Sequence, residues 1–386
     1  MKDVRIQRHG ADRILAGHPW VYRSDLLGSP EIVGGEVVRV LDGRNVRLGW
    51  AHASATSTIA LRMLPFETRL TDQGYFRRLI RRAQEYRDVV VSDTDAYRLV
   101  HAEADLLPGL VIDRYRDYFS IQTQTQGMEL SKAAIVAALE ELYQPAGIVE
   151  RNDTASRAHE GLEQQTGLLA GREPDAPEIT FNGLHFLVDI LGGQKTGFFL
   201  DQRENYQAAA RYAHGRALDA FTYQGGFALH LAARCEKVEA VDSSEAALAA
   251  VRSNARRNGI ENVDTRQAKV FDLLSDYERG KRTFQTIVLD PPAFAKSRRH
   301  VESAARAYKE INLKALRLLE RDGVLVTSSC SHHFSEADLL NVVAEASLDA
   351  GKRLRVIERR TQARDHPIAL TIPETHYLKC LILQIY

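Results

Sequence analysis

The sequence predicts an α/β protein: a mainly parallel sheet covered by helices in the C-terminal half, preceded by a small β-barrel and a central α+β unit. Three observations carry this prediction. Roughly the first 60 residues hold short β-like runs separated by glycine turns and no long helical pattern. Helices and strands then mix as far as "LLAGREPDAPE", where Pro174 and Pro177 mark a linker. Beyond the linker, apolar strands alternate with helices, the signature of a doubly covered parallel sheet. The expected domains are residues 1–66, 67–172 and 179–386.

In the first domain the strands are expected at "EVVRV", "VRLGWAHA" and "STIALRML", turning at "LDGRN". Upstream, His18, Pro19, Trp20 and Tyr22 cluster in "LAGHPWVYRSDL" and are expected to plug the barrel. The second domain opens on an amphipathic helix, with Leu70, Phe76, Leu79, Ile80 and Ala83 on one side and Arg77, Arg78, Arg81 and Arg82 on another. That basic side reads as solvated surface or as an RNA contact. Strands turning at Pro108-Gly109, the helix "MELSKAAIVAALEELY" and the strand "GIVERND" complete the unit.

The third domain begins with the hairpin "EITFNGLHFLVDIL" and a helix in "LDQRENYQAAARYA". Strands follow at "RALDAF", "VEAVD", "FQTIVLD" and "GVLVTSS", and "HYLKCLILQIY" forms a final buried strand.

Composition excludes several classes. With 44% hydrophobic and 26% charged residues the chain is ordinary globular material. The 51 basic and 51 acidic residues balance, so net charge gives no argument for a nucleic-acid partner. No segment approaches the roughly 20 apolar residues that span a bilayer, and the N-terminus lacks a signal-peptide core, so the expected location is cytoplasmic. Cys235, Cys330 and Cys380 form neither a CxxC pair nor a disulfide framework.

The cofactor side of the sheet is expected at "ALDAFTYQGGFALHLAA", where a strand ends at Asp219, Gly225 and Gly226 form a loop, and a helix begins. Glycine lets backbone approach a ligand, and the crevice beyond strand ends is where open α/β sheets bind one. Asp242, ending the next strand, suits two ribose hydroxyls, and Asp272, after a third strand, suits an adenine amino group. The loop is not the G-x-G-x-x-G pattern of a dinucleotide site. An adenosine ligand without a diphosphate, S-adenosylmethionine, matches best. Helix capping is the alternative for both acids.

On the chemical side, "TIVLDPPAFAKS" holds Asp290 at a strand tip, stiffened by two prolines. The next strand delivers Cys330, flanked by serines in "TSSCSHHF", to the neighbouring tip. A thiolate beside a methyl donor suits methylation at carbon 5 of a pyrimidine, because its addition at carbon 6 makes carbon 5 nucleophilic. Cys235 and Cys380 read as core residues. His332 and His333 lack metal-ligand spacing and read as loop residues, so no metal is expected.

The motifs "GHPWVY", "GQKTGFFLDQREN", "LDAFTYQGGFALHLA", "VLDPPAFAKS" and "TSSCS", in that order, cover nearly the whole chain. In them the sequence resembles the bacterial cytosine-carbon-5 methyltransferases of 23S ribosomal RNA that carry an N-terminal PUA domain. The resemblance implies a PUA barrel, a central α+β domain and a Rossmann-like class I methyltransferase domain acting on large-subunit ribosomal RNA. It implies Cys330 as nucleophile, Asp290 as catalytic acid, and Asp219, Gly225, Asp242 and Asp272 around S-adenosylmethionine, with Phe199, Gln202 and Tyr206 as cofactor wall. It also implies a homodimer. Another group of RNA cytosine methyltransferases carries a second cysteine after the proline of the Asp-Pro motif, which "DPPAFAKS" lacks; release would then use another base or water. Two alternatives stay open: a guanine-N7 methyltransferase sharing these motifs, and a non-catalytic RNA-binding factor on the same fold.

Overall fold

Alternating side chains drive the first sheet. In the computed structural model, which describes residues 2–65, 71–295 and 297–386 (Arg298 by its backbone alone), five short strands lie in the order Asp3–Arg5, Val37–Leu41, Arg47–Ala53, Ile59–Met63 and Trp20–Tyr22. The first pair is parallel and the others are antiparallel. Val4, Val21, Val38, Val40, Ala51 and Leu61 point inward and form the core. The same period of two corrects one expectation. Val21 is buried, so its neighbours Trp20 and Tyr22 on this edge strand face outward and are only half-buried. They do not plug the barrel; the Trp20 indole N–H instead donates to Glu103 at 2.9 Å.

The central sheet runs Thr166–Gly171, Gly147–Arg151, Tyr118–Thr123, Leu110–Tyr115 and Ala96–His101. Helices Gln73–Val90 and Lys132–Tyr143 share its apolar core. Asp72 caps the first helix by accepting from the Tyr75 amide at 2.8 Å. Phe76, Leu79, Ile80 and Ala83 are buried as the helical period predicts, and Arg78, Arg81 and Arg82 are exposed. Leu70 and the expected boundary at residues 66 and 67 lie outside the described residues. Strand Thr166–Gly171 closes the central domain just before Pro174 and Pro177, pairing antiparallel with Gly147–Arg151. Both cores belong to one unit, Met1–Thr180, joined by Val188–Leu200 and Arg364–Thr375.

The second unit comprises Phe181–Leu187, Asp201–Ala363 and His376–Tyr386. Its strands are β1 (Arg216–Ala220), β2 (Lys237–Asp242), β3 (Val263–Gln267), β4 (Phe284–Leu289), β5 (Leu319–Ser329), β6 (Leu354–Thr361) and β7 (Lys379–Ile385). Helices α1 (Arg203–Tyr212), α2 (Gly226–Leu231), α3 (Glu245–Arg257), α4 (Val270–Arg279), α5 (Val301–Leu318) and α6 (Glu336–Asp349) connect them. The sheet order is β3-β2-β1-β4-β5-β7-β6. Strands β1 to β5 are mutually parallel, and β7 runs antiparallel between β5 and β6. Ile287, Leu289, Leu325, Leu381 and Leu383 from the sheet pack with Leu274, Ile311, Leu316 and Leu339 from α4, α5 and α6. Among the described residues no helix is long and apolar enough to cross a membrane.

Candidate active site

The parallel register decides where the site lies. Ala220 pairs with Val241 and with Leu289, and Leu289 pairs with Thr327. The C-terminal ends of β1, β2, β4 and β5 therefore meet at one sheet edge, carrying Asp219, Asp242, Asp290 and Cys330. Crevices at such ends, where the strand order reverses beside β1, are where open α/β sheets hold ligands.

The loop after β1 is strained. Phe221 (φ 66°), Tyr223 (φ 50°) and Gly225 (φ 85°) are all left-handed, and non-glycine residues held there cost about 1–3 kcal/mol each. Carboxylates from two strands restrain the loop. Asp219 Oδ2 accepts from Thr222 Oγ1 at 2.6 Å and from the Ala228 amide at 2.9 Å. Asp242 accepts from the Tyr223 amide at 3.1 Å and the Ser244 amide at 2.9 Å. Asp219 Oδ1 is buried with no partner among the described residues, and burial pushes this carboxyl up to about 7.

Helix capping does not account for the acids. Ser244 caps α3 by accepting from Ala247 N, and Lys269 precedes α4 without a side-chain cap bond. Asp272 is not at a strand end, as its sequence position suggested; β3 stops at Gln267 and Asp272 occupies the first turn of α4. There it lines a cavity of about 440 Å³ with Phe221, Ser243, Ala268, Lys269, Val270 and Phe271.

Tyr206, from α1, is buried against the glycine loop. A Cβ at Gly226 would lie 2.3 Å from its Cζ, and its ring meets Phe227 edge-on at 4.7 Å. Burial raises its phenol well above the ordinary value, with Asp290, Asp201 and Asp219 adding to the rise. Gln202 donates through Nε2 to Asp290 Oδ1 at 2.9 Å. Phe199 belongs to the other unit, in Val188–Leu200, where Lys195 Nζ stands 4.3 Å from its ring centroid.

The serines beside Cys330 are anchors. Ser329 and Ser331 are buried while Cys330 is half-buried. Ser331 Oγ accepts from the Ala295 amide at 3.2 Å, tying this loop to the Asp-Pro-Pro loop, and lies 3.2 Å from the Tyr308 hydroxyl. The other two thiols differ: burial pushes Cys235 up to about 11 and Cys380 up to about 12, where a thiolate is scarce at neutral pH. His332 and His333 are exposed loop residues.

One polar residue here escaped the sequence reading. Lys379, the first residue of β7, is 3% exposed; its Nζ donates to Ser331 O at 2.6 Å and Tyr377 O at 2.9 Å. Burial lowers its ammonium to about 8, against the opposing influence of Cys330 and Asp338. The signal was present as a single lysine inside the apolar run "YLKCLILQI".

Comparison with known proteins is consistent across the chain. The family of PUA-like domains matches residues 4–66, and that of S-adenosylmethionine-dependent methyltransferases matches residues 155–372. A protein of Tolumonas auensis named ribosomal RNA large subunit methyltransferase I is 41% identical over 394 aligned residues, covering 99% of this chain and 98% of that protein. One of the same name from Aeromonas hydrophila is 40% identical, with 96% of each covered. Among solved structures, a SAM-dependent methyltransferase from Streptococcus mutans superposes with a TM-score of 0.84 at 21% identity, covering 100% of both chains. A methyltransferase complexed with SAH gives a TM-score of 0.86 at 21% identity, also over 100% of both chains. At that identity the two structures speak to the fold.

Proposed function

Because the chain belongs to the family of S-adenosylmethionine-dependent methyltransferases that carry an N-terminal PUA-like domain, we propose that it methylates carbon 5 of a cytosine in large-subunit ribosomal RNA. The relatives' shared name supports ribosomal RNA as substrate, and a ribosomal RNA substrate supports a cytoplasmic location. The observation that carries the cytosine is Cys330, a half-buried thiol held between two anchored serines at the strand tip beside Asp290. A purine nitrogen attacks through its own lone pair and needs no thiol.

The residues present fit the cofactor. Phe221 and Phe271 offer apolar walls and Asp272 a carboxylate acceptor in one cavity, and Asp219 offers a buried oxygen that has no partner among the described residues. Asp219, Gly225, Asp242 and Asp272 would hold the cofactor, with Tyr206 and Gln202 shaping the wall beside them. The place of Phe199 in that wall rests on the "KTGFFLDQREN" motif alone. When bound, S-adenosylmethionine supplies an activated methyl group.

The remaining steps fall to the chain itself. A base within structured RNA must first be unstacked to reach Cys330. The Cys330 thiolate adds to carbon 6, so that electron density collects at carbon 5. Asp290, oriented by Gln202, holds a proton at N3 and helps the ring accept this addition. Once carbon 5 is methylated, its proton is removed and the carbon–sulfur bond breaks, returning the electron pair to sulfur. "DPPAFAKS" has no cysteine to assist release, which leaves water or another base for that step.

The test is methyl transfer from labelled S-adenosylmethionine to unmodified large-subunit ribosomal RNA, with nucleoside analysis, for wild type and Cys330→Ala. Five-methylcytidine that disappears in the variant is the expected result. A methylated purine that survives Cys330→Ala would overturn the reading.

A further inference from the structure

Lys379 is a buried cation without a carboxylate. Both acceptors of its Nζ are neutral backbone carbonyls, Ser331 O and Tyr377 O, and among the described residues it enters no ion pair. Burying an unpaired ammonium is costly, and such a group is retained where an opposite charge faces it.

The candidates for that charge are few. From α6, Asp338 faces Lys379, but its Oδ2 already accepts from the Ser335 amide at 2.8 Å and the Ser335 hydroxyl at 2.7 Å, which caps the helix. From the loop after β5, His332 faces it without bringing negative charge. From α5, the Tyr308 phenol faces Cys330 and is raised by burial, so it stays neutral. That leaves the Cys330 sulfur. The backbone brings the two together: Lys379 pairs with Ser329 across β5 and β7, and its Nζ binds the carbonyl of Ser331. The lysine is thus tied to the residues on both sides of Cys330.

We propose that Lys379 is the counter-ion of the Cys330 thiolate, a positioning residue that keeps the sulfur deprotonated and aims it by holding the Ser329–Ser331 backbone. The inference rests on the nucleophilic role proposed for Cys330. The balance is simple. The thiol proton resides on the Lys379 nitrogen in the resting pair, giving ammonium and thiolate. Sulfur then supplies the electron pair of the bond to carbon 6 and regains it when that bond breaks. No bond to the Lys379 nitrogen changes during the cycle.

The experiment is the pH dependence of Cys330 alkylation by iodoacetamide in the full-length protein, read by peptide mass mapping, for wild type, Lys379→Met and Lys379→Arg. An opposite charge at close range moves a titration by roughly 1–3 pH units. Lys379→Met is therefore expected to raise the midpoint by at least about one unit and to slow alkylation at pH 7 by about tenfold or more. Lys379→Arg, which keeps the charge, should hold the midpoint near that of wild type. An unchanged midpoint in a folded Lys379→Met protein overturns the proposal. Wild type alone provides a second test should that variant fail to fold: a midpoint at or above the ordinary thiol value also overturns it. Failure of the parent reading looks different. Methyl transfer that persists in Cys330→Ala removes the nucleophile, while the alkylation titration still reports whether the two side chains are paired.

Discussion

Gln202 and Asp290 are joined by a 2.9 Å hydrogen bond from Nε2 to Oδ1, and Gln202 Oε1 in turn accepts from Asn205 Nδ2 at 2.6 Å. A glutamine just before α1 thereby sets the orientation of the carboxylate at the tip of β4. Gln202→Ala removes the hydrogen bond that orients the Asp290 carboxyl, a loss of about 1–3 kcal/mol. Turnover is expected to fall roughly 10- to 100-fold with little change in S-adenosylmethionine affinity. Separate measurement of kcat and of cofactor Kd checks this; a large loss of affinity with kcat intact would make Gln202 a cofactor contact instead.

Gly226 carries a packing constraint. A Cβ there would lie 2.3 Å from Tyr206 Cζ and 2.5 Å from its hydroxyl oxygen, and Tyr206 is wedged against Phe227 and His230. Gly226→Ala is expected to destabilise the second unit by about 1–3 kcal/mol. The double variant Gly226→Ala with Tyr206→Leu should recover part of that loss, as a melting series would reveal.

Asp219 should make the ligand-free protein less stable as pH rises. Its folded value, about 7, lies above the ordinary carboxylate value. The stability associated with the protonated form is complete below the unfolded value and is lost as pH rises through 7. The full effect is on the order of 4 kcal/mol as an upper bound. Thermal melts at pH 5 and pH 8 should differ more for wild type than for Asp219→Asn; equal slopes would refute the assignment.

Asp242 and Asp272 are expected to separate. Asp242 accepts two backbone amides and restrains the strained loop, so Asp242→Ala should cost about 1–3 kcal/mol of stability as well as cofactor affinity. Asp272 lines the cavity wall, so Asp272→Ala should weaken cofactor binding roughly tenfold with an unchanged melting temperature. Calorimetric titration alongside melting distinguishes the two patterns.

The sequence by itself determined what short-range patterns can encode. Strand and helix periods marked the barrel, the central helices and the alternation of β1 to β5. Turn chemistry marked Gly225, and residue types at strand ends marked Asp219, Asp242, Asp290 and Cys330. Each of these depends on neighbours a few residues away, where side-chain period and backbone preference act. Edge strands were less legible. Neither Thr166–Gly171 nor Leu354–Thr361 stands out in the sequence as a strand: the first holds Gly167 and Gly171 within six residues, and the second carries Arg355, Glu358, Arg359 and Arg360, charges that keep an edge soluble and blur the strand pattern.

Only the tertiary structure decided the rest. The last strand of the chain enters the sheet between β5 and β6, and that insertion alone carries Lys379 to the backbone around Cys330. The bond from Gln202 to Asp290 and the packing of Tyr206 beneath Gly226 likewise join residues distant in sequence. No local period specifies such meetings. They follow from the free energy of burying β7 on both faces, which fixes strand order and register, and with them the charges that face the thiol.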